Sequence, residues 1–147
     1  MKRFEFIKLP VVLLLVFFVG KLIVGAAGGS YELGIRLFAM VPLTAMLSLI
    51  WGAMGRAYRG FGIGQAIQTG ASIAIVAQVL IFGATVLSYL LGAHTHFNNP
   101  IAIVGEDRAV ALGEAVMARG VGLVVNTIIS CITASIGWAL GKLLPTN

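Results

Sequence analysis

Four long runs of apolar residues dominate the chain, at residues 9–27, 37–54, 66–91 and 121–144. Each run contains roughly the 18–25 residues that a helix needs to cross about 30 Å of hydrocarbon. None of them alternates apolar and polar residues with the period of a barrel strand. The pattern therefore predicts an all-α membrane protein, with four transmembrane helices in a compact bundle that forms a single integral membrane domain over residues 1–147.

Two of these runs contain residues that modify the prediction. Pro42 lies in the first half of the second run and predicts a kink there, because proline removes a backbone hydrogen bond from a helix. The first run follows basic residues and ends in small residues at 25–27, which is typical of a secretory signal peptide. Lys21 interrupts the stretch before that small-residue site, so we expect a retained signal-anchor helix.

The segment 92–120 is the one connection with room for further structure. Within it, residues 106–119 have a helix-favouring composition, with acidic residues at the start and Arg119 at the end. This order of charges suits the helix dipole. We expect either a short amphipathic helix at the outer membrane surface or an extension of the fourth transmembrane helix, hinged at Gly120 and Gly122.

Composition supports the membrane assignment. Hydrophobic residues make up 59% of the chain and charged residues 10%, whereas soluble domains carry roughly 25% charged residues. A water-soluble globule is therefore excluded. The net charge is +5, but the basic residues stand at the ends of the apolar runs and are not interleaved with aromatic residues. We therefore expect the lipid bilayer as a partner, and no nucleic acid.

The distribution of Lys and Arg predicts the orientation of the helices. Excluding Lys21, six basic residues fall on one side of the predicted membrane and three on the other. The six are Lys2, Arg3, Lys8, Arg56, Arg59 and Lys142, and the three are Arg36, Arg108 and Arg119. The positive-inside rule then places both termini in the cytoplasm. The charge asymmetry suits a bacterial inner membrane.

Small and hydroxyl residues recur at helical spacing on three of the predicted helices. Such stripes let helix backbones approach closely in lipid. The residues predicted to mediate helix packing are Gly52, Ser130, Ala134, Gly137 and Gly141. A different interpretation of the same helices is a polar path along the bundle axis, lined by Gln78, Thr85, Asn126 and Lys21 together with hydroxyl residues.

Lys21 has two interpretations of its own. Its ammonium could be buried and paired with a carboxylate such as that of Glu32, forming an ion or proton gate. Alternatively, its four-carbon stem lets the ammonium reach the outer headgroups, since the residue lies about two turns from the predicted end of the helix.

The outer segment carries the only two histidines, His94 and His96. Two imidazoles at this spacing in an extended loop could bind one metal ion, with oxygen ligands from Glu106, Asp107 or Glu114. The alternative is an ordinary pair of loop histidines, because no cysteine and no further histidine joins them. No cofactor is predicted beyond that metal.

Arg56 and Arg59 stand directly before a glycine-rich loop at residues 60–64. The loop lacks the lysine and the spacing of a phosphate-binding motif, so the two arginines are predicted to dock on lipid headgroups or on a partner.

Catalysis needs converging groups, and the chain offers no nucleophile with a base and no pair of buried carboxylates. We therefore expect a protein that is not an enzyme.

These observations favour a non-enzymatic integral membrane subunit, which packs through its small-residue faces into a larger membrane protein assembly or a homo-oligomer. The alternative function is a small oligomeric channel or transporter that uses the polar path. A third hypothesis is an outer-face metal or redox site at His94 and His96.

Overall fold

The computed structural model describes residues 3–145, with residues 3 and 4 described by their backbone alone. Lys2 and the last two residues lie outside this range, as does the side chain of Arg3. The described part is helical and contains no strand. The helices are α1 (Arg3–Ala26), α2 (Tyr31–Leu37), α3 (Met40–Arg59), α4 (Ile63–Leu90), α5 (Pro100–Val104) and α6 (Leu112–Leu140), followed by a 3-10 turn (Gly141–Leu143).

Within residues 3–145, four segments are long and apolar enough to cross a membrane. They are Glu5–Ala26, Tyr31–Arg59, Ile63–Leu90 and Leu112–Leu143, and each overlaps one of the four predicted spans. The all-helical architecture and the number of membrane-length segments are therefore confirmed.

The predicted kink at Pro42 is wrong in its position. The chain leaves the helical conformation at Phe38 and Ala39, so the second segment is divided into α2 and α3. Pro42 is the third residue of α3. At that place its missing N–H removes no hydrogen bond, because the first N–H groups of a helix have no partner within it.

The prediction for residues 106–119 is correct only in part. Residues 105–111 are not helical, so the amphipathic surface helix is absent from this stretch. The extension of the last membrane-length helix is present from Leu112 onward, but α6 continues without a break through Gly120 and Gly122. The short helix of the outer segment is α5, where Pro100 takes the first position and the Asn99 side chain accepts a hydrogen bond from the Ile101 N–H.

The tightest packing joins α6 to α3 and α4, and it depends on small residues. A Cβ atom added at Gly137 would meet the backbone carbonyl of Leu49, and one added at Gly52 would meet the carbonyl of Ala134. Between α4 and α6, a Cβ at Gly70 would meet the carbonyl of Ser130. The predicted packing residues, with Gly141 against Ala53 of α3, thus all lie at contacts within one chain.

These contacts also give the helix directions. Along α3 and α6, Leu49 lies beside Gly137 and Ala53 beside Gly141, so these two helices run parallel. Along α4 and α6, Gly70 lies beside Ser130 while Thr85 contacts Arg119, so these two run antiparallel. Both described chain ends therefore lie at one end of the protein, the terminal end. Residues 27–39 and 91–111 form the opposite end, the loop end.

The first helix, α1, is peripheral to this core. In its most apolar stretch 11% of the residues are buried, against 44% in α4. One specific bond holds it at the terminal end: Pro10 has no N–H to donate to the Phe6 carbonyl, four residues earlier. The indole N–H of Trp51 donates to that carbonyl instead, at 2.6 Å.

The close approach of α3 and α6 predicts opposite effects for two alanine substitutions. Gly137→Ala should lower the free energy of unfolding by about 1–3 kcal/mol, because the new methyl group would overlap the Leu49 carbonyl. Gly83→Ala, in the middle of α4 with open space around it, should raise it by about 0.4–1 kcal/mol. The measurement is reversible unfolding in mixed micelles, followed by circular dichroism. Equal stability of the two variants would contradict the packing described above.

Candidate functional site

A cavity of about 200 Å³ lies at the loop end, among α1, α2, α3, α4 and α6. Its polar groups come from Lys21, Tyr31 and Arg119, each on a different helix. The rest of its wall is apolar, with Ile35, Ala39, Met40, Val41, Pro42, Ile81, Phe97 and Ala102. We refer to it as the cationic cavity, because two of its three polar residues are cations.

Lys21 enters the cavity from α1, five residues before that helix ends at Ala26. Its ammonium lies 5.6 Å from the ring centre of Tyr31 and 5.4 Å from that of Phe97. Aromatic faces at such distances attract a cation weakly, and they do not neutralise it. The proposed ion pair with Glu32 is not formed, since the Glu32 side chain is exposed on α2 and none of the described ion pairs includes Lys21.

Arg119 enters the cavity from α6, about 10 Å along the helix from its first residue. Its guanidinium donates three hydrogen bonds. The acceptors are the Thr85 hydroxyl at 3.1 Å, the Ala102 carbonyl at 3.0 Å and the Phe97 carbonyl at 2.8 Å. A guanidinium has five N–H groups, so two remain for another partner.

No acidic side chain in the described part of the chain neutralises these two cations. The chain has five acidic residues, and all five lie in the part that the structure describes. Glu5 pairs with Lys8, while Glu106 and Glu114 pair with Arg108. Hydrogen bonds from Arg108 to Glu114 and to Glu106 raise the pKa of that arginine. Glu32 and Asp107 are exposed and form no ion pair with Lys21 or Arg119.

The first turn of α3 adds to the positive character of the cavity. Ala39 precedes α3 and provides no side-chain hydrogen bond to its first amides. Ala39, Met40 and Val41 all line the cavity. Because the first amides of a helix have no partner within it and carry a partial positive charge, this helix start reinforces the field of the two side chains.

The wall formed by Phe97 is held by a compact loop at residues 93–99. The Asn98 side chain donates to the Ala93 carbonyl at 2.8 Å and accepts from the Thr95 N–H at 2.8 Å. The hydroxyls of Thr95 and Ser88 are 2.7 Å apart, which ties the loop to the end of α4. Phe97 is buried, and its ring centre lies 5.2 Å from that of Phe18.

The two histidines of this loop occupy different environments. His96 is buried, and its Nε2 atom lies 2.9 Å from the Gly29 carbonyl oxygen, so it joins the loop to the corner between α1 and α2. His94 is exposed. Among the described residues, no group of three or more His, Cys, Asp or Glu side chains could hold a metal ion. A metal bound by the two imidazoles therefore stays a prediction, while His96 has a packing role in this structure.

The residues of the predicted polar path separate into two levels. Thr85 lies beside Arg119 at the level of the cationic cavity, where Lys21 also lies. Gln78 is two turns deeper on α4, and the antiparallel register places it level with residues 122–126, which include Asn126. Gln78 is buried, and its Nε2 atom has no hydrogen-bond partner within the described range.

Arg56 and Arg59 lie at the terminal end, far from the cavity along the helices. The Arg56 guanidinium carbon lies 4.1 Å from the ring centre of Trp138, and the side chain donates to the Trp138 carbonyl at 3.3 Å. The Trp138 indole N–H in turn donates to the Phe61 carbonyl at 2.7 Å. Arg59 lies over the ring of Phe6 at 5.9 Å. Arg56 thus stabilises the joint between α3 and α6.

Comparison of the chain with protein-family models, with curated proteins and with solved structures gave no match. The role of the cavity is therefore inferred from its own geometry and charge.

Sequence reasoning included Lys21 and Thr85 among the site residues but missed Arg119, Tyr31 and Phe97. One signal for Arg119 was present. No acidic residue stands three or four positions before or after it, so no ion pair within the helix can neutralise it. The positions of Tyr31 and Phe97 depend on how two loops fold over α1, and local patterns do not encode that contact.

Arg119 is expected to hold the loop that closes the cavity. In Arg119→Met, the carbonyls of Phe97 and Ala102 each lose the hydrogen bond from the guanidinium, while the Thr85 hydroxyl still lies 3.0 Å from the Phe97 carbonyl oxygen. Hydrogen bonds to charged groups contribute about 1.5–3 kcal/mol each. Amide hydrogen exchange in residues 93–104 should therefore accelerate by about 10-fold or more. Arg108→Met is the matched control, because it removes an equal charge from an exposed ion-pair network at the same end. Unchanged exchange in Arg119→Met would contradict this role.

Proposed function

We propose that this protein is an integral membrane protein that binds an anion in the cationic cavity, as a non-enzymatic binding or transport component. One observation carries the proposal: Lys21 and Arg119 line the same cavity, and none of the five acidic side chains pairs with either of them. The four membrane-length segments support its integration into a bilayer. Within a bilayer, ionisable residues are rare and often mark the path or site of a charged ligand.

The energetic reason is the cost of an unpaired cation in apolar surroundings. On insertion scales a lysine or arginine near the centre of a membrane helix costs about 2.5–3.5 kcal/mol. Lys21 lies about 7 Å and Arg119 about 10 Å along the helix from the loop end of α1 and α6. A bound anion offsets part of that cost for both cations at once, because it accepts hydrogen bonds from each.

The arrangement favours binding over conduction through the protein. Below the cavity, the buried side chains of Leu47, Ile73 and Ala77 pack together with Leu14 and Trp51. Ile73 and Ala77 lie on α4 between Gln78 and the terminal end, so this close-packed apolar core interrupts any polar path that would continue past Gln78. A transport cycle would need a second conformation in which these helices move apart.

We further propose that the terminal end faces the cytoplasm of a bacterial inner membrane. Arg56, Arg59, Lys8 and Lys142 lie at that end, and the positive-inside rule associates such residues with the cytoplasmic side. The cationic cavity then opens in the outer half of the bilayer.

The anion site is tested by ligand-dependent stability of the full chain in a neutral maltoside detergent, with decyl phosphate as the ligand and uncharged decanol as the matched ligand control. At ten times its dissociation constant, decyl phosphate should raise the unfolding midpoint of the wild-type protein by roughly 3 °C or more. Lys21→Met should be at least as stable as the wild type without ligand, because a cation has been removed from apolar surroundings, but it should gain little from decyl phosphate.

Arg36→Met is the control variant, because it removes an equal charge from an exposed position on α2 at the same end. It should respond to decyl phosphate as the wild type does. The proposal is wrong if Lys21→Met keeps the full shift, or if decanol produces the same shift as decyl phosphate.

A second candidate function, a subunit of a larger membrane assembly, is favoured by the peripheral position of α1. The small-residue faces of α3, α4 and α6 are occupied within the chain, so contact with another subunit or another copy would use α1. Its exposed apolar face carries Val12, Leu15, Val16, Val19 and Ile23.

Native mass spectrometry of the chain, extracted gently from its own membrane, tests this second candidate. A reproducible mass that contains another protein, or several copies of this chain, is expected. Val16→Asn on the exposed face of α1 should dissociate that complex, whereas Val125→Asn on the exposed face of α6 should leave it intact. A monomer under all mild extraction conditions would exclude the subunit role.

A further inference from the structure

We infer that the ligand of the cationic cavity is a bilayer amphiphile with a phosphate monoester headgroup, whose apolar chains stay in the surrounding lipid. The inference rests on the proposed anion site and names its ligand class. It follows from three features of the cavity: its charge, its unused hydrogen-bond donors and the apolar wall on one side.

The charge of the cavity matches a phosphate monoester. Lys21 and Arg119 together contribute two positive charges, and the start of α3 adds a partial positive charge. A phosphate monoester carries about −1.5 to −2 at pH 7. A carboxylate or a phosphate diester carries one negative charge and would leave one of the two cations without a partner.

The unused donors also suit phosphate. Arg119 keeps two N–H groups beyond its three bonds to the protein. The Lys21 ammonium donates no hydrogen bond to any described residue, so its three N–H groups are available. A phosphate monoester has three terminal oxygens that accept charge-assisted hydrogen bonds, and a guanidinium can hold two of them side by side.

The apolar wall indicates that the ligand has a hydrocarbon part. On the α2–α3 side, Ile35 is 40% exposed and Val41 is 41% exposed, and both line the cavity. Both belong to the membrane-length segment Tyr31–Arg59, so this side of the cavity continues into the surface that faces lipid. A fully hydrated anion would gain nothing from that surface, whereas an acyl chain would bury apolar area against it.

The size of the cavity limits how much of the ligand enters. A cavity of about 150 Å³ accommodates a benzene molecule, so about 200 Å³ accommodates a phosphate group with part of its linker. It does not accommodate a long acyl chain. The headgroup therefore enters sideways from the bilayer, between α2 and the start of α3, and the chains remain outside along Ile35 and Val41.

The test is a set of titrations of the full chain in neutral maltoside micelles, with dissociation constants measured by native mass spectrometry. The probes are phosphatidic acid, phosphatidylglycerol with the same acyl chains, and inorganic phosphate. Phosphatidic acid, a monoester, should bind at least about 10-fold more tightly than the diester phosphatidylglycerol, because it brings a second negative charge to the second cation. Inorganic phosphate should bind at least 10-fold more weakly than phosphatidic acid, because it makes no apolar contact.

Three variants locate the binding. Lys21→Met should weaken the binding of phosphatidic acid to about the level of phosphatidylglycerol binding, because one of the two cations is gone. Val41→Ser should weaken the binding of phosphatidic acid and leave the binding of inorganic phosphate unchanged. Arg36→Met, the control with an equal change of charge, should change neither dissociation constant.

Each result has a defined consequence. If inorganic phosphate binds as tightly as phosphatidic acid, and Lys21→Met weakens the binding of both, the anion site is supported but the assignment of its ligand as an amphiphile is wrong. If phosphatidylglycerol binds as tightly as phosphatidic acid, the monoester assignment is wrong. If Lys21→Met binds phosphatidic acid as the wild type does, or if no probe binds the wild type, then both the ligand class and the proposed anion site are overturned.

Discussion

The close approach of α6 to its two neighbours is the constraint on which the rest of this structure depends. At Gly137, Gly52 and Gly70 the space that a side chain would occupy is taken by a carbonyl group of the facing helix. Such contacts fix both the separation and the register of the helices, since a shift by one residue would place a larger side chain against the facing backbone. In a membrane, where burial of apolar surface gives little driving force between helices, this shape complementarity has to hold the helices together.

The register of α6 against α4 determines the candidate site. It places Arg119 beside Thr85, from where the guanidinium reaches the carbonyls of Phe97 and Ala102. The loop that contains Phe97 thereby closes over the end of α1, and the Phe97 ring comes to lie near the ammonium of Lys21. The cavity and its charge are consequences of helix packing, with one arginine serving as the link between the core and the loop.

Several elements were predictable because their signals are local. The membrane-length helices follow from runs of apolar residues, and the small residues on α3 and α6 follow from helical spacing. The position of the break before α3 was mispredicted, because Pro42 indicates a restriction on the backbone without indicating where the helix resumes. Residues 106–111 were mispredicted as helix because their composition favours one, whereas Glu106 pairs with Arg108 outside any helix.

The sequence by itself determined the all-helical class, the four membrane-length segments and the presence of a lysine where lysines are rare, because each is a property of one contiguous stretch. Only the tertiary structure decided that the small-residue faces pack against each other within the chain. It likewise decided that the Trp51 indole donates a hydrogen bond to the Phe6 carbonyl, which Pro10 leaves without a donor. It also decided that Arg119, 98 positions from Lys21, shares a cavity with it. Contacts between distant segments depend on helix register and loop closure, and no local pattern contains that information.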